Sequence, residues 1–164
     1  MKEVSITEAL SAKYPEVVCL LSCISKEGKP NLISLGWSMQ TSLSPPMIAI
    51  SVGKSRYSHK LISESKDFVF TYPGENLQDV VLFCGTHSGR DVDKIAATGT
   101  KIKKAQLVKS YLLPGCLINL ECEVRGSLDS GDHTVFVGEI IKAYKSLSPS
   151  KKIYTVGKNT LGAL

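Results

Sequence analysis

Residues 117–146 read LINLECEVRGSLDSGDHTVFVGEIIKAYKS, two long runs of strand composition on either side of a short turn. Valine, isoleucine, phenylalanine, tyrosine and threonine recur in both runs, and these residue types favour extended structure. The intervening LDSGD, residues 128–132, has the Asp, Ser and Gly content of a hairpin turn. This stretch therefore predicts a long antiparallel hairpin in the last third of the chain.

A second hairpin is predicted near the other end of the chain. Residues 17–25, VVCLLSCIS, and residues 31–44, NLISLGWSMQTSLS, flank the turn KEGKP. Pro45 and Pro46 cannot donate to a central ladder, so they mark a sheet edge or the entrance to a strand. Residues 47–53, MIAISVG, then form a predicted buried strand.

Helices are predicted between the strands. Thr7 to Lys13 forms a short helix with Thr7 as a candidate N-cap, and Ser55 to Ser65 forms a second helix. Residues 75–98 have the pattern helix, loop, helix. Between them, residues 67–73, DFVFTYP, have strand composition.

Strands thus dominate both ends of the chain, with helices inserted between them. This distribution favours a mainly β fold, a closed or nearly closed antiparallel barrel with short helical insertions, because closure removes the exposed edges of an open sheet. A parallel α/β fold fits less well, since strands and full-length helices do not alternate. The length predicts a single domain, residues 1–164. Residues 152–156 predict one last strand, after which the tail is expected to fray.

The composition excludes several classes of function. The net charge is +5, but aromatic residues make up only 7% and do not alternate with the basic ones, so the stacking platform of single-stranded nucleic-acid binders is missing. The longest apolar run, residues 17–24, is far shorter than the roughly 20 residues that cross a bilayer. Residues 1–10 lack the apolar segment of a secretory signal. We therefore expect a cytoplasmic protein with no nucleic-acid or membrane partner.

The cysteines indicate a reduced core. Cys19, Cys23, Cys84, Cys116 and Cys122 are odd in number and lie mostly in apolar, strand-like segments. Cys19 and Cys23 are four residues apart, on one face of a strand, but no histidine or second cysteine pair at zinc-ligand spacing accompanies them. No metal site is predicted.

An anion site is indicated just before the predicted helix at Ser55. Free backbone N–H groups of a first helical turn would lie there beside the hydroxyls of Ser55 and Ser58 and the guanidinium of Arg56. Such a combination suits a phosphate dianion. The same residues also fit a simpler interpretation, in which Ser58 is an N-cap and Arg56 is solvated. Spacing alone leaves both open.

Four motifs occur in one order along the chain: GWSMQTSLSPPMIAISVG (36–53), KSRYSHKLI (54–62), FCGTHSGRDVDK (83–94), and LECEV (120–124) with GDHTVFVGEI (131–140). Together they resemble the flavin reductase-like family with the FMN-binding split barrel, which includes the flavoredoxins. The resemblance extends from about residue 16 to 145. It implies a split antiparallel β-barrel, bound FMN, and a homodimer with the flavin near the subunit interface.

The resemblance also implies three groups of cofactor-binding residues. The strand before the double proline would line the isoalloxazine ring with Trp37, Ser38, Thr41, Ser42, Leu43 and Ser44. The turn after the next strand would hold the phosphate and ribityl chain with Val52, Ser55, Arg56 and Ser58. The segment SGRDVDK would close over the flavin with Ser88, Gly89, Arg90 and Lys94. From the residues alone, Trp37 also fits a core or interface position, and residues 90–94 fit an exposed, charged helix start.

The resemblance implies a nicotinamide contact for His133, the histidine of the GDHTVFVGEI motif. Hydride passes directly between nicotinamide and flavin and needs orientation, so no catalytic acid or base is predicted. An exposed surface position is the alternative for His133 and for His87. Cys84, just before the flavin-covering segment, is expected to be a buried structural thiol.

The expected function is that of an NAD(P)H-dependent flavin reductase, in which FMN takes electrons from NADH or NADPH and passes them to an acceptor. The alternative is a flavoredoxin-type electron carrier that exchanges electrons with redox proteins. No G-x-G-x-x-G dinucleotide motif is present to decide between them. A flavin sensor or storage module remains a third, less motivated class.

Overall fold

The computed structural model describes residues 1–148, 150–157 and 160–163. The strands there are β1 Glu16–Val17, β2 Cys19–Ile24, β3 Pro30–Leu35, β4 Ser38–Leu43, β5 Pro46–Gly53, β6 Asp67–Pro73, β7 Lys103–Lys104, β8 Tyr111–Leu112, β9 Cys116–Ser130, β10 His133–Lys145, β11 Ile153–Gly157 and β12 Thr160–Ala163. The helices are α1 Ile6–Ser11, α2 Tyr57–Ser65, α3 Gln78–Thr86 and α4 Lys94–Thr98, with a 3-10 turn at Glu75–Leu77. None of these helices has the length and hydropathy needed to span a bilayer.

Seven strands form one antiparallel sheet in the order β3-β2-β6-β9-β10-β5-β4. β3 and β4 occupy opposite edges of this order, yet only Gly36 and Trp37 separate them in sequence. The three Cα–Cα steps from Leu35 to Ser38 reach at most about 11 Å. The sheet must therefore curl until its two edges meet at Gly36, and this confirms the split antiparallel β-barrel predicted from the sequence.

The barrel interior is the main hydrophobic core. Leu21, Ile50 and Val52 point into it with Phe68 and Phe70, and each is fully buried. The side chains alternate along each strand, so the outer face of β5 and β10 carries a separate set of residues. The five cysteines are free and buried, as predicted, and burial raises the pKa of the Cys84 thiol to about 11.

The predicted helices are present with shifted boundaries. α1 begins one residue earlier than expected, because the Ser5 hydroxyl accepts the N–H of Glu8 and takes the N-cap position that was assigned to Thr7. α2 begins at Tyr57, and its N-cap is Arg56, which caps through no side-chain hydrogen bond. The interpretation of Ser58 as an N-cap is therefore wrong.

The end of the chain adds strands beyond those expected. β11, predicted at 152–156, pairs with both β1 and β12 in a small antiparallel sheet. The prediction that the chain frays after β11 is wrong for Thr160–Ala163, because these residues form β12. The same prediction for residues 158, 159 and 164 lies outside the described residues. This small sheet packs Ile153 and Leu161 against the barrel and α3.

A buried carboxylate fixes the segment after α4 to the barrel. Glu121 in β9 has no exposed surface, and its oxygens accept the N–H groups of Gln106, Leu107 and Val108 at 2.6 to 3.1 Å and the Tyr144 hydroxyl at 2.6 Å. Burial alone would raise the pKa of Glu121, but these hydrogen bonds favour the charged form and the net pKa is lowered.

Candidate functional site

A cavity of about 280 Å³ opens where the two edges of the barrel meet. Its walls come from the end of β3 and the link to β4, from the turn between β5 and α2, and from the loop between α3 and α4. The residues that line it are Ile33, Ser34, Leu35, Gly36, Trp37, Ser51, Gly53, Ser55, Arg56, Tyr57, Ser58, Cys84, Gly85, His87, Ser88, Gly89, Arg90, Lys94 and His133. We call this space the polar cavity.

The polar cavity concentrates positive charge. Arg56, Arg90 and Lys94 line it, and among the described residues that line it none is acidic. None of the three cations forms an ion pair with a carboxylate in the described part of the chain. Cations held together without counter-charge repel one another, so the cavity favours a ligand that carries at least one negative charge.

Lys94 is the most deeply placed of these cations. Its side chain is only 5% exposed, and Nζ donates to the carbonyl oxygens of Leu32 and Cys84, both at 2.9 Å. An ammonium has three N–H donors, so one remains for a ligand. Burial lowers the pKa of Lys94, the thiols of Cys84 and Cys23 oppose this shift, and the charge of Arg56 adds to it. The expected alternative of an exposed helix start is therefore wrong for Lys94.

The N-terminus of α2 faces the same space. Tyr57 and Ser58 are its first residues, and their backbone N–H groups have no acceptor within the helix. The Ser58 hydroxyl is buried and accepts a hydrogen bond from Asn31 Nδ2 at 2.8 Å, which fixes its position against β3. Backbone amides, hydroxyls and the Arg56 guanidinium thus converge at one end of the cavity, in the arrangement expected for an anion.

The loop between α3 and α4 is fastened over that end. Arg90 Nη1 donates to the carbonyl of Ser55 at 3.0 Å, and its guanidinium carbon lies 5.4 Å from the centre of the Tyr57 ring. A Cβ atom at Gly89 would come within 2.8 Å of Asn31 Cγ and 3.1 Å of Tyr57 Cδ1. Only glycine lets the loop approach β3 and α2 this closely. The loop is therefore held in place by Gly89 against Asn31 and Tyr57 and by the contacts of Arg90.

Aromatic side chains form the opposite rim. The rings of Trp37 and His133 are 4.9 Å apart, and His133 Nδ1 is 2.7 Å from a carboxylate oxygen of Asp132. The hydrogen bond and charge of His133 lower the pKa of Asp132. Lys13 Nζ lies 5.0 Å from the centre of the Trp37 ring. Trp37 is 49% exposed at the entrance of the cavity.

The predicted cofactor residues divide into two sets. Eight line the polar cavity: Trp37, Ser55, Arg56, Ser58, Ser88, Gly89, Arg90 and Lys94. The other six lie outside its lining: Ser38 beside the Cys19 thiol, Thr41, Ser42, Leu43 and Ser44 along the edge strand β4 and its end, and Val52 in the barrel core. The backbone of β4 leaves the cavity at Trp37, so an extended ligand could still follow it.

Sequence reasoning missed the wall formed by β3. Ser34, Leu35 and Gly36 line the cavity, together with Gly85 from α3 and Tyr57 from α2. Their position follows from the barrel closure at Gly36, which pattern alone does not reveal. The prediction of residues 31–44 as one extended stretch is wrong, because the chain turns at Gly36 and Trp37 and divides into β3 and β4, which lie at opposite edges of the sheet.

Comparison with known proteins matches most of this chain to one family. The family model described as "Flavin reductase like domain" matches residues 11–158. An uncharacterised protein of Archaeoglobus fulgidus is 35% identical over 136 residues, which is 83% of this chain and 76% of the relative. The chain spans 53% of a longer relative from Aeropyrum pernix, at 29% identity over 91% of its own length.

Several of the similar proteins carry a functional description. An FMN reductase (NADH), SmoA, of Agrobacterium fabrum is 29% identical, with coverage of 85% of this chain and 75% of that protein. The crystal structure of a flavoredoxin from Methanosarcina acetivorans superposes with a TM-score of 0.86 at 29% identity, with coverage of 100% of this chain and 92% of that one.

Proposed function

The chain belongs to the flavin reductase-like family, and we propose that it binds FMN and reduces it with NADH or NADPH. Family membership already makes it a flavin-binding reductase or electron carrier. The choice of FMN, the use of a nicotinamide donor and the assembly into a homodimer are the parts that we propose.

One observation carries the choice of a phosphorylated flavin. Three cations line a single cavity without an acidic partner among the described residues, next to the free N–H groups of the α2 N-terminus. The terminal phosphate of FMN is a dianion at neutral pH and supplies the missing counter-charge. The donor set thus fits the phosphate, with Arg56 and Lys94 as charged donors and Ser55 and Ser58 as hydroxyls.

The remaining assignment follows from the shape of the cavity. With the phosphate at α2, the ribityl chain would pass Gly53 and Ser88, and the ring would lie toward Ser34–Trp37 and the edge strand β4. Ser38, Thr41, Ser42, Leu43 and Ser44 are then proposed as ring contacts through that strand, and Val52 as a core support of the phosphate turn. Bound FMN would supply the capacity to accept two electrons as a hydride and to release them one or two at a time.

The protein's part in that chemistry is positional. His133 is held by Asp132 and by the Trp37 ring at the cavity entrance, so we propose that this pair orients the nicotinamide of the donor. The site therefore needs no side chain that attacks or protonates the substrate. Cations near the flavin would stabilise its anionic reduced form.

A homodimer is the proposed assembly, supported by an apolar outer face. Met39 on β4 pairs with Ala49 on β5, and Ala49 pairs with Val137 on β10. Leu128 on β9 pairs with Val135, which lies two residues from Val137 on the same face of β10. Met39 and Leu128 are 64% and 68% exposed. A continuous apolar sheet face of this kind is typical of protein interfaces, and this one borders Trp37 at the cavity entrance.

The visible spectrum tests the proposal. The protein, as purified or after addition of FMN, should show flavin absorption that bleaches within seconds when NADH or NADPH is added without oxygen. Arg56→Ala should weaken FMN binding by about 1.5 to 3 kcal/mol, the contribution of a charged hydrogen bond. Absence of FMN binding under all conditions would overturn the proposal.

The electron carrier is the second candidate, favoured by the likeness to a flavoredoxin over the full chain. A yellow protein that bleaches with dithionite but not with either nicotinamide would establish that alternative. The electron acceptor would then be a redox protein, and the rim around Trp37 would serve protein contact. Location in the cytoplasm stays a prediction in both cases.

A further inference from the structure

A group of polar side chains lies next to His133 but outside the polar cavity. Thr134, the following residue of β10, is buried, and its hydroxyl donates to Asp129 Oδ1 at 3.1 Å. The ring nitrogen Nε2 of His59 lies 2.9 Å from the same hydroxyl. None of these three residues lines the polar cavity. We call Thr134, Asp129 and His59 the Thr134 cluster.

The direction of each hydrogen bond in the cluster follows from its chemistry. The Thr134 hydroxyl and the Lys54 ammonium lower the pKa of Asp129, so the carboxyl group is ionised at neutral pH. A carboxylate only accepts, and the single hydroxyl proton of Thr134 therefore goes to Asp129. His59 Nε2 must then carry a proton and donate it to the Thr134 oxygen.

The cluster joins the tip of the β9–β10 hairpin to α2. Thr134 and Asp129 face each other across the two strands, one register position from the turn. His59 reaches them from the first turn of α2, the helix whose N-terminus faces the polar cavity. Three elements that are distant in sequence thus meet at one buried hydroxyl.

His133 is held through both of its neighbours in the chain. On one side, the carbonyl of Asp132 accepts the backbone N–H of Lys54 at 2.9 Å. On the other side, Thr134 is anchored by its cluster. A Cβ atom at Gly53 would lie 3.5 Å from His133 Nε2, so the imidazole lies against the turn between β5 and α2. The start of β10 is therefore fixed relative to that turn.

The buried contacts provide most of this anchoring. The Asp129 side chain is 76% exposed, so its ion pair with Lys54, at 3.3 Å, contributes little. Thr134 is only 6% exposed, and loss of its hydroxyl would leave the partly buried Nε2–H of His59 without its acceptor. The Thr134 hydroxyl is therefore the group on which the cluster depends.

We propose that Thr134 is a positioning residue for His133: its cluster fixes the start of β10 and thereby holds the imidazole at the cavity entrance. This role rests on the proposed function, in which His133 and Trp37 orient the nicotinamide of the donor. Thr134 itself touches neither the donor nor the flavin. It acts by keeping the imidazole in place before the donor arrives, which reduces the ordering that binding must supply.

NMR spectroscopy reads the position of His133 without any flavin chemistry. The Trp37 ring, 4.9 Å away, displaces the Cε1–H resonance of His133, and the untagged chain contains only two other histidines. His133→Ala assigns the resonance by removing it. Thr134→Val removes the hydroxyl and keeps the side-chain shape, so the resonance should move toward that of free histidine; Thr134→Ser should leave it in place. An unmoved resonance in Thr134→Val would overturn the proposal.

Thr71→Val is the matched control. Thr71 is another buried strand threonine, whose hydroxyl donates to the carbonyl of Leu20 at 3.0 Å, and it does not line the polar cavity. This variant should lose stability, as Thr134→Val does, but leave the His133 resonance unchanged. An equal displacement in Thr71→Val would mean that any loosening of the barrel moves His133, and Thr134 would then have no special role.

Steady-state kinetics with NADH and NADPH test the consequence for the proposed reaction. Thr134→Val should raise the KM for the donor about 2- to 12-fold, the range for one lost hydrogen bond, with kcat and FMN affinity nearly unchanged. Thr134→Ser should retain the wild-type KM. In a His133→Ala background, Thr134→Val should add nothing, because it acts through the imidazole; additive effects would contradict that route.

The two measurements separate the possible failures. A protein that oxidises neither donor would contradict the proposed function, while the His133 resonance would still show whether Thr134 holds the imidazole. A protein that oxidises the donor, with an unchanged KM in Thr134→Val, would contradict the positioning role and leave the proposed function standing.

Discussion

Replacement of the buried cation Lys94 by methionine should separate ligand binding from stability. The substitution keeps the approximate length of the side chain and removes one positive charge. Among the described residues, no carboxylate forms an ion pair with that charge. Its third N–H is the donor we assign to the FMN phosphate, and a charged hydrogen bond contributes about 1.5 to 3 kcal/mol. Lys94→Met should therefore weaken FMN binding about 10- to 150-fold.

The stability of the flavin-free protein should change much less. The variant loses the hydrogen bonds from Nζ to the carbonyls of Leu32 and Cys84, but it no longer buries an ammonium, and the two effects oppose each other. Riboflavin, which lacks the phosphate, provides the ligand control, and Lys104→Met, at an exposed strand position, provides the matched variant.

Fluorescence titration with FMN and with riboflavin gives the result. The expected outcome is a large loss for FMN, little loss for riboflavin, and no change for either ligand in Lys104→Met. An equal loss for both flavins would refute the assignment of Lys94 to the phosphate and make it a structural residue only.

The pH dependence provides an independent check of the same assignment. Burial lowers the pKa of Lys94 from its ordinary value of 10.5, so in the folded protein the ammonium loses its proton earlier than in the unfolded chain. FMN affinity should fall as the pH rises through this lowered pKa, and the flavin-free protein should gain stability between the lowered pKa and 10.5. Both effects should be absent in Lys94→Met; a variant that keeps the alkaline loss of FMN affinity would assign it to another group.

Three further changes test the loop, the assembly and the barrel. Gly89→Ala places a Cβ against Asn31 and should abolish FMN binding in titration. The unfolding free energy of the flavin-free protein should fall by about 1 to 3 kcal/mol, the cost of an overpacked contact. Met39→Lys should convert the proposed dimer to a monomer in light scattering, and a wild-type monomer with tightly bound FMN would contradict the proposed assembly. Glu121→Gln should lower the unfolding free energy by about 2 to 4 kcal/mol at pH 7 in urea denaturation; because the pKa of Glu121 is lowered from 4.5, the difference from wild type should shrink as the pH falls below that value.

Strand composition and turn chemistry predicted an antiparallel barrel, whereas its split form was implied by the family resemblance. The hairpin of β9 and β10 carries its β-rich pattern through 28 residues around one glycine turn. The N-cap of α1 was misplaced because Ser5 and Thr7 are both good caps, and the choice depends on which hydroxyl reaches the N–H of a residue three positions on. β12 was missed because its short sequence acquires strand structure only by pairing with β11.

The site was predictable where it depends on local sequence and missed where it depends on closure. The grouping of Arg56 and Ser58 at one end of the cavity follows from a strand, a turn and a helix start that succeed one another in the chain. Lys94 was expected from the resemblance, but its burial depends on carbonyls of β3 and α3 that no local pattern brings to it. Ser34 and Gly36 entered the site only because the sheet curls there.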